Sequence, residues 1–409
     1  MERSKARLGV VAAVSAALLA TACSSGNSND AASTPTTGGN TPTVAASTPT
    51  SGGGSQPAAS QAAGGAANWQ AGAGSDWQDV LAKGRQEGTV VVGGPAQLGT
   101  KLAAAFEKDT GIKMQFVSGG GGELSSRFDT EARAKHVTMD ILFGGGNELE
   151  TLKPEGLLEP LKPQMILPSV QDGPQWRDGT RHWYDNEKTY LFQGGAYVFG
   201  YVTVNADDVD PASIKSWNDL LDPKYKGKII CYDPTSNGPG QGAVGAMAAV
   251  LGMDYLKKLF VDQQVKFVAD NDQLAQAVAH GDYPIALALI QQSINKYQSQ
   301  GINLKVVLPS EMPGYLTSGF GVIREAKGAP HPNAAQVFIN WYASAAGAQA
   351  YQDIMLESSN RLDVDKSKLP EYTVPKAGVK YFDDDLNEDF YVNERQKDID
   401  KITQLLGGR

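Results

Sequence analysis

Cysteine is nearly absent from this 409-residue chain, with Cys23 and Cys231 the only two. Cys23 lies in the N-terminal leader, so the body holds a single thiol and no internal disulfide. With about 335 residues after residue 74, the body is long enough to bury a core without staples. Cys231 then reads as a small buried hydrophobe on a strand rather than a nucleophile. Histidine is also scarce: His136, His182, His280 and His331 show no metal-ligand spacing. His331, in APHPN, reads as a turn residue beside two prolines.

Basic runs are missing as well. Arg3, Lys5 and Arg7 against Glu2 and Asp30 leave the first 75 residues at +1, so the body carries −10 where the whole chain carries −9. An acidic body without a basic stripe excludes a nucleic-acid binder. Beyond the leader, no apolar stretch is long enough to span a membrane. No G-x-S-x-G elbow and no H-E-x-x-H helix is present, which points away from an enzyme. The acidic run Asp383–Asp385, in YFDDDLNEDF, reads as a solvated tail segment.

The start of the chain is informative. MERSKARLGVVAAVSAALLATAC places Arg3, Lys5 and Arg7 before an apolar stretch and small residues, the layout of a secretory signal. LATAC (Leu19–Cys23) resembles a bacterial lipobox, which implies a lipid-modified Cys23 as the mature N-terminus. The departure is Ala20, where Leu is usual; cleavage after Ala22 without a lipid is the alternative. Residues 24 to about 74 are almost entirely Ser, Thr, Gly, Pro, Ala, Asn and Gln, with Val44 and Trp69 the only sizeable apolar side chains. Such a composition buries too little area to offset chain entropy and reads as a flexible tether. Some 50 residues of coil reach about 40 Å root-mean-square.

From Asp76 onward, helical and strand patterns alternate. WQDVLAKGRQEG, TKLAAAFEKDTG and ELSSRFDTEARAKH read as helices; TVVVGG, IKMQFVSGG and MDILFGGG read as buried strands ending in glycine. This is the signature of α/β layers around a mostly parallel sheet, whose ligands gather at the carboxyl ends of the strands. A second series follows: AYVFGYVTVN, KIICYD, VKFVAD, YPIALALI and LKVVLP as strands, and NDQLAQAVAHGD as a helix. Gln291–Gln292–Ser293 reads as a polar turn, GYLTSGFGVI as a return strand, and HPNAAQVFINWYASAAGAQAYQDIM as one long helix. Two α/β lobes are therefore expected, joined near 196–205 and 314–323, with a cleft between them.

The stretch CYDPTSNGPGQGAVGAMA (Cys231–Ala248) is strand, glycine-rich loop and small-residue helix. It lacks the Lys and hydroxyl of a P-loop, and its glycines are set too close for a dinucleotide fingerprint. Two readings remain: a turn capped by Thr235 or Ser236, or that cap together with an anion site at the helix N-terminus.

SWNDLLDPKYKGKI, FGGGNELETLKPEGLLEPLKP, VAHGDYPIALAL and KGAPHPNAAQVFINWYAS resemble the extracellular solute-binding proteins of ABC importers. The resemblance runs from about Asp76 to Arg361, nearest to the group of ferric-iron, polyamine, thiamine, aminophosphonate and sugar-phosphate binders. It implies the type II periplasmic-binding-protein fold, two α/β lobes joined by two crossover strands, with ligand in the cleft. The implied organisation is a signal peptide over 1–22, a lipidated Cys23 and tether over 23–74, the first part of lobe 1 over 75–198, and lobe 2 over 199–313. The return crossover, the rest of lobe 1 and C-terminal helices fill 314–409. The implied partners are a small-molecule solute and an ABC permease, for a monomer lipid-anchored on the outer face of the membrane, without cofactor or metal.

Site residues follow from the same resemblance. Thr235, Ser236 and Asn237 would contact the solute from lobe 2, and Gly120, Gly121, Gly146 and Asn147 would face them from lobe 1. Gln291 and Gln292 stand where iron binders carry adjacent tyrosines, which favours a polar, anion-bearing organic solute over ferric iron. Thr317 and Ser318 lie in the return crossover. Trp183–Tyr184 and Tyr190–Phe192 could supply an aromatic wall or core packing, and Arg361 is expected to tie lobe 1 together. A ferric-iron binder of the same fold and a ligand sensor presenting to a membrane receptor are the alternatives.

Overall fold

The computed structural model describes residues 68–236, 238–376, 378–383 and 388–407, leaving out the side chain of Asn147. The signal segment 1–22, Cys23, the tether to residue 67, and Asn237 lie outside the described residues.

The body opens with α1 (Ser75–Glu87), β1 (Thr89–Gly94), α2 (Gly99–Thr110), β2 (Lys113–Ser118), α3 (Gly121–Arg133) and β3 (Ile141–Gly144). Each helix forms because its apolar residues recur on one face. In α2, Leu102, Phe106 and Thr110 are buried at i, i+4, i+8, and Gly111 ends the helix at φ 75°. Strands β2, β1 and β3 are parallel neighbours, with Val92 beside Phe116 and Ile141. The sheet continues antiparallel through β14 (Val322–Ala326), β6 (Phe192–Gln193) and β5 (His182–Trp183), with β4 (Leu158–Glu159) also on β14. It is thus parallel only in its first half, because the chain returning from lobe 2 inserts β14 against the direction of β3.

Lobe 2 is a second sheet in the order β10 (Lys266–Val268), β9 (Ile229–Tyr232), β11 (Ile285–Leu287), β8 (Val202–Asn205) and β12 (Leu304–Val307). Helices α4 (Pro239–Leu251), α5 (Met253–Lys257), α6 (Asn271–Ala279) and α7 (Gln291–Ser299) belong to this lobe. Cys231 is fully buried there among Trp217, Val244 and Leu274, and burial pushes its thiol far above the usual range. The two crossovers pair directly: β7 (Tyr197–Phe199) is antiparallel to β13 (Tyr315–Thr317). A third strand, β15 (Phe382–Asp383), lies parallel to β13. The acidic run expected to be solvated tail therefore begins on a strand of the hinge; Asp384 and Asp385 lie outside the described residues.

The expected long helix is two, α8 (Pro332–Ala343) and α9 (Ala345–Met355). Ser344 is extended (φ −75°, ψ 167°) and caps α9. A Cβ on Gly347 would lie 2.1 Å from the Trp341 carbonyl oxygen, so glycine permits the tight joint. Helix α8 is buried almost all round, which makes it the pillar of lobe 1. His331 precedes it as expected of a turn residue, with Nδ1 2.9 Å from Asp140 Oδ2. Trp69 overturns the boundary drawn at residue 74: it is buried and meets Trp77 edge-on at 5.5 Å, so ordered packing begins ahead of α1. A tryptophan buries enough area to pin a segment that is otherwise small and polar. C-terminal helices α10 (Glu388–Asn393) and α11 (Arg395–Leu405) complete the chain.

Candidate functional site

A cavity of about 590 Å³ lies between the lobes. A second hollow of about 480 Å³ opens on lobe 2 between Asp208, Lys224 and Asp282. The interlobe cavity is the candidate site, because both lobes and the hinge line it.

Sheet topology positions its walls. The loops after β1, β2 and β3 contribute Pro95–Gln97, Gly119–Gly121 and Gly144–Gly145 from lobe 1. The segments after β9 and β11 contribute Gly238–Pro239, Ile290 and Gln292 from lobe 2, and Asn271 enters from the start of α6. These are the carboxyl ends of parallel strands, where α/β sheets present helix N-termini to ligands. The N-cap positions of α3, α4 and α7 (Gly120, Gly238 and Ile290) all border the cavity, and none makes a side-chain cap hydrogen bond. By contrast α6 is capped by Asp270, whose Oδ1 accepts from Gln273 N at 2.8 Å. Uncapped N-termini leave backbone N–H donors and partial positive charge at the border of the cleft, although Pro239 removes one donor from α4.

Gly238 and Gly240 of the Cys231–Ala248 stretch serve packing first. Gly238 has φ 154°, and a Cβ there would meet the Tyr232 ring at 2.6 Å. On Gly240 it would lie 2.3 Å from the Tyr232 carbonyl oxygen. Thr235 is not a cap: its N and Oγ1 both donate to Asp233 Oδ1, at 2.9 and 2.7 Å. The expected cap at Thr235 or Ser236 is replaced by Gly238, since an Asx turn at Asp233 uses the hydroxyl first.

Aromatic side chains form the rest of the wall. Tyr197 and Phe199 from β7, and Tyr315 with Thr317 from β13, line the cavity at alternate strand positions. Tyr184, Tyr232, Phe320 and Tyr391 add to them. Tyr184 Oη shares a 2.7 Å hydrogen bond with Ser318 Oγ, Tyr232 Oη donates to the Ala269 carbonyl at 3.0 Å, and Tyr391 Oη accepts from Gly146 N at 3.3 Å. Glu357 lies on the floor, where its Oε2 accepts from Tyr351 Oη at 2.5 Å. Burial pushes its carboxyl up to about 8, so it is mostly neutral at pH 7. Among the described residues lining the cavity, Arg395 is the sole lysine or arginine.

The sequence expectations divide. Gly120, Gly121, Gln292 and Thr317 line the cavity; Thr235, Ser236, Gln291, Gly146 and Ser318 do not. Gln291–Gln292 are not a turn but the first residues of α7. Gln291 is buried and occupied: its Oε1 accepts from Tyr201 Oη and Tyr372 Oη, both at 2.9 Å. Gly146 lies beneath two tyrosines, and a Cβ there would approach Tyr184 to 2.7 Å and Tyr391 to 3.1 Å. Ser318 is fully buried behind Tyr184. Asn147 opens a short 3₁₀ turn, its side chain lying outside the described residues together with Asn237. Of the expected aromatic wall, Tyr184 lines the cavity, whereas Trp183 and Phe192 are core of lobe 1. Arg361 is structural as expected: buried, stacked over Trp176 at 4.9 Å, and bonded to Asp363 and the Ser169 and Ala343 carbonyls.

Sequence reasoning missed the hinge aromatics, Glu357, Tyr391 and Arg395. The alternation Tyr197–Phe199 and Tyr315–Thr317 was the available signal for the first group. No local pattern marks the others. None of the four histidines lines the cavity. His182 is buried against the Arg177 carbonyl at 2.9 Å, and burial holds its pKa down to about 3.

Comparison with known proteins agrees with this architecture. The chain is 26% identical over 270 residues to the Iron uptake protein A1 of Synechocystis, covering 61% of this chain and 69% of that protein. The periplasmic binding protein AfuA of Actinobacillus pleuropneumoniae, solved with fructose-6-phosphate bound, superposes with a TM-score of 0.60 at 21% identity, covering 77% of this chain and 97% of AfuA. Iron-bound HitA of Pseudomonas aeruginosa gives 0.58 at 22% identity, covering 76% and 99%. These likenesses establish the type II periplasmic-binding fold. Residues 101–368 match the profile described as bacterial extracellular solute-binding protein. The chain therefore belongs to the family of bacterial extracellular solute-binding proteins, the non-enzymatic binding components of ABC importers.

Proposed function

We propose that this protein captures a small anion-bearing organic solute, such as a phosphorylated or carboxylated metabolite, in the interlobe cleft and delivers it to an ABC permease. The observation that carries the reading is the convergence of three uncapped helix N-termini, from both lobes, on one cavity. Glu357, mostly neutral at pH 7 because burial raises its carboxyl to about 8, adds little opposing charge there. The aromatic wall supplies apolar faces for the carbon skeleton, and the hydroxyl of Thr317 and the amide of Gln292 add polar contacts. A lipid on Cys23, followed by the tether, would hold this monomer on the outer face of the membrane within reach of its permease.

Native mass spectrometry of the gently purified full chain, followed by dissociation of whatever it retains, tests the solute class. A retained organic anion is expected. A retained polyamine or other cation would sink the reading. Mass analysis of the N-terminal peptide checks the anchor: an unmodified Cys23 in membrane-derived protein would rule it out.

Ferric iron is the second reading, and Tyr184, Tyr197, Tyr232, Tyr315 and Tyr391 around one cavity are what favour it. Against it, the hydroxyls of Tyr184, Tyr232 and Tyr391 already have protein partners, and burial raises the Tyr232 phenol above its usual range. Titration with ferric citrate decides: a visible phenolate-to-iron charge-transfer band would establish iron, and its absence with no metal retained would remove it.

A further inference from the structure

The segment after α9 repeatedly crosses between the lobes. Tyr372 packs against the lobe 2 core and reaches Gln291, β15 joins the hinge, α10 packs on lobe 1, and α11 packs on lobe 2. On lobe 1 the anchors are Lys153 Nζ to Glu388 Oε1 at 2.5 Å, Asn186 N to Glu388 Oε2 at 2.6 Å, and Tyr391 edge-on to Tyr184 at 6.0 Å. On lobe 2, Ile402 and Leu406 are buried in the core and α11 packs on α4. The joint between the two helices passes over the cleft, which is why Tyr391 and Arg395 line the cavity.

Arg395 is the first residue of α11, where the positive end of the helix dipole disfavours a cation. Asp398 in the same turn offsets part of that cost. The guanidinium is held from outside its own helix: it stacks 4.4 Å from the Tyr391 ring centroid, and Nη2 donates to Gln241 Oε1 on α4 at 3.3 Å. One helix of the tail and one helix of lobe 2 thus place it at the cavity wall. The uncapped N-termini of α3 and α7 border the same cavity, so an oxyanion held there has both N–H donors and a planar cationic fork within one site.

We propose that the C-terminal helix pair is part of the solute site, with Arg395 making the charge-assisted contact to the solute's oxyanion group and Tyr391 as the positioning residue that holds the guanidinium. The inference rests on the anion-bearing reading above. It adds a ligand contact from residues beyond the part of the chain that matches the family profile, and makes capture dependent on the tail.

The test is isothermal titration of the full chain with fructose 6-phosphate, citrate and inorganic phosphate as anionic probes, and spermidine and ferric ion as cationic ones. If an anion binds, Arg395→Gln should weaken it by at least about tenfold, the range of a lost charge-assisted hydrogen bond. Arg395→Lys should restore part of the affinity, the salt dependence should be shallower in Arg395→Gln, and the unfolding midpoint without probe should stay within a degree or two. Tyr391→Ala, which removes the ring stacked on the guanidinium, should follow Arg395→Gln, and Tyr391→Phe, which restores the ring, should recover affinity relative to Tyr391→Ala. An anion bound equally by parent and Arg395→Gln overturns the role of the tail and leaves the anionic reading standing. Loss of affinity in Arg395→Gln with no recovery in Arg395→Lys and an unchanged salt slope also overturns it, as a structural effect. Binding of a cationic probe alone, or of none of the anions, overturns both.

Discussion

Glu357 shows how a single residue sets the electrical character of the cleft. A carboxyl on the floor of an anion site would repel its ligand if ionised. Burial, with only Tyr351 and the Phe320 backbone donating to it, keeps it protonated up to about pH 8. The same shift has a stability consequence of definite sign. Below the ordinary glutamate value of 4.5 both folded and unfolded chains hold the proton and there is no penalty. Between there and about pH 8 the unfolded chain releases its proton while the folded one retains it, so stability falls as pH rises, and above pH 8 the loss levels off. Glu325, also raised to about 8 by burial, acts in the same direction. Glu357→Gln should therefore gain on the parent as pH goes from 5 to 8, by roughly 1 kcal/mol per pH unit at most. Parallel denaturant titrations at the two pH values measure this; equal curves at pH 8 would refute it. Anion affinity of the parent should also drop between pH 7 and 9, while that of Glu357→Gln should not.

At the scale of elements, the strand-to-helix connections decide where donors point. Helix α4 can begin beside the cleft only because Gly240 lets its first turn lie directly against the Tyr232 carbonyl. Gly240→Ala would drive a methyl group to 2.3 Å from a backbone oxygen that cannot rotate away. The expected result is a loss of about 1–3 kcal/mol of stability, with a larger loss of solute binding because the N-terminus of α4 must shift. Thermal unfolding and titration with the retained solute check both; a variant that binds as tightly as the parent would show that α4 is not a donor. The break at Ser344 has the same origin: a helical pattern over 331–355 carries no warning that Gly347 must sit under the Trp341 carbonyl.

For the whole molecule, the question is what holds two lobes around a solute. Direct contact across the cleft comes from Gln292 on α7, whose Nε2 donates to the Met355 carbonyl at the end of α9, at 2.5 Å. The hinge is broader than two crossovers, because β15 widens it and α10–α11 span it again. Closure should therefore be a small rotation about a stiff three-stranded ribbon rather than a wide gape. Gln292→Ala should leave the empty protein folded but weaken solute retention several-fold, mainly through faster release. Stopped-flow release rates and solution scattering with and without solute are the measurements; an unchanged release rate would mean that this bond does not help to hold the closed form.

How much of this was legible in the sequence follows from the range of the interactions involved. The alternation of strands and helices, the strand-like hinge segments, the burial of Cys231 and the role of Arg361 were readable because periodicity, small-residue turns and family motifs act over a few neighbours. That Gly120, Gly121, Gln292 and Thr317 line the cavity was legible for the same reason, since each stands at a strand end or on a crossover. The sequence by itself therefore determined the two-lobed class and where a cleft must open. Only the tertiary structure decided which side chains face it. Thr235 turned back to Asp233, Gln291 was taken up by Tyr201 and Tyr372, and Trp69 joined the core. Tyr391 and Arg395 came to the cavity from a tail about 140 residues beyond the end of α4 in sequence. Each of these outcomes depends on partners distant in sequence, and no local pattern records a contact that exists only after the chain has folded back on itself.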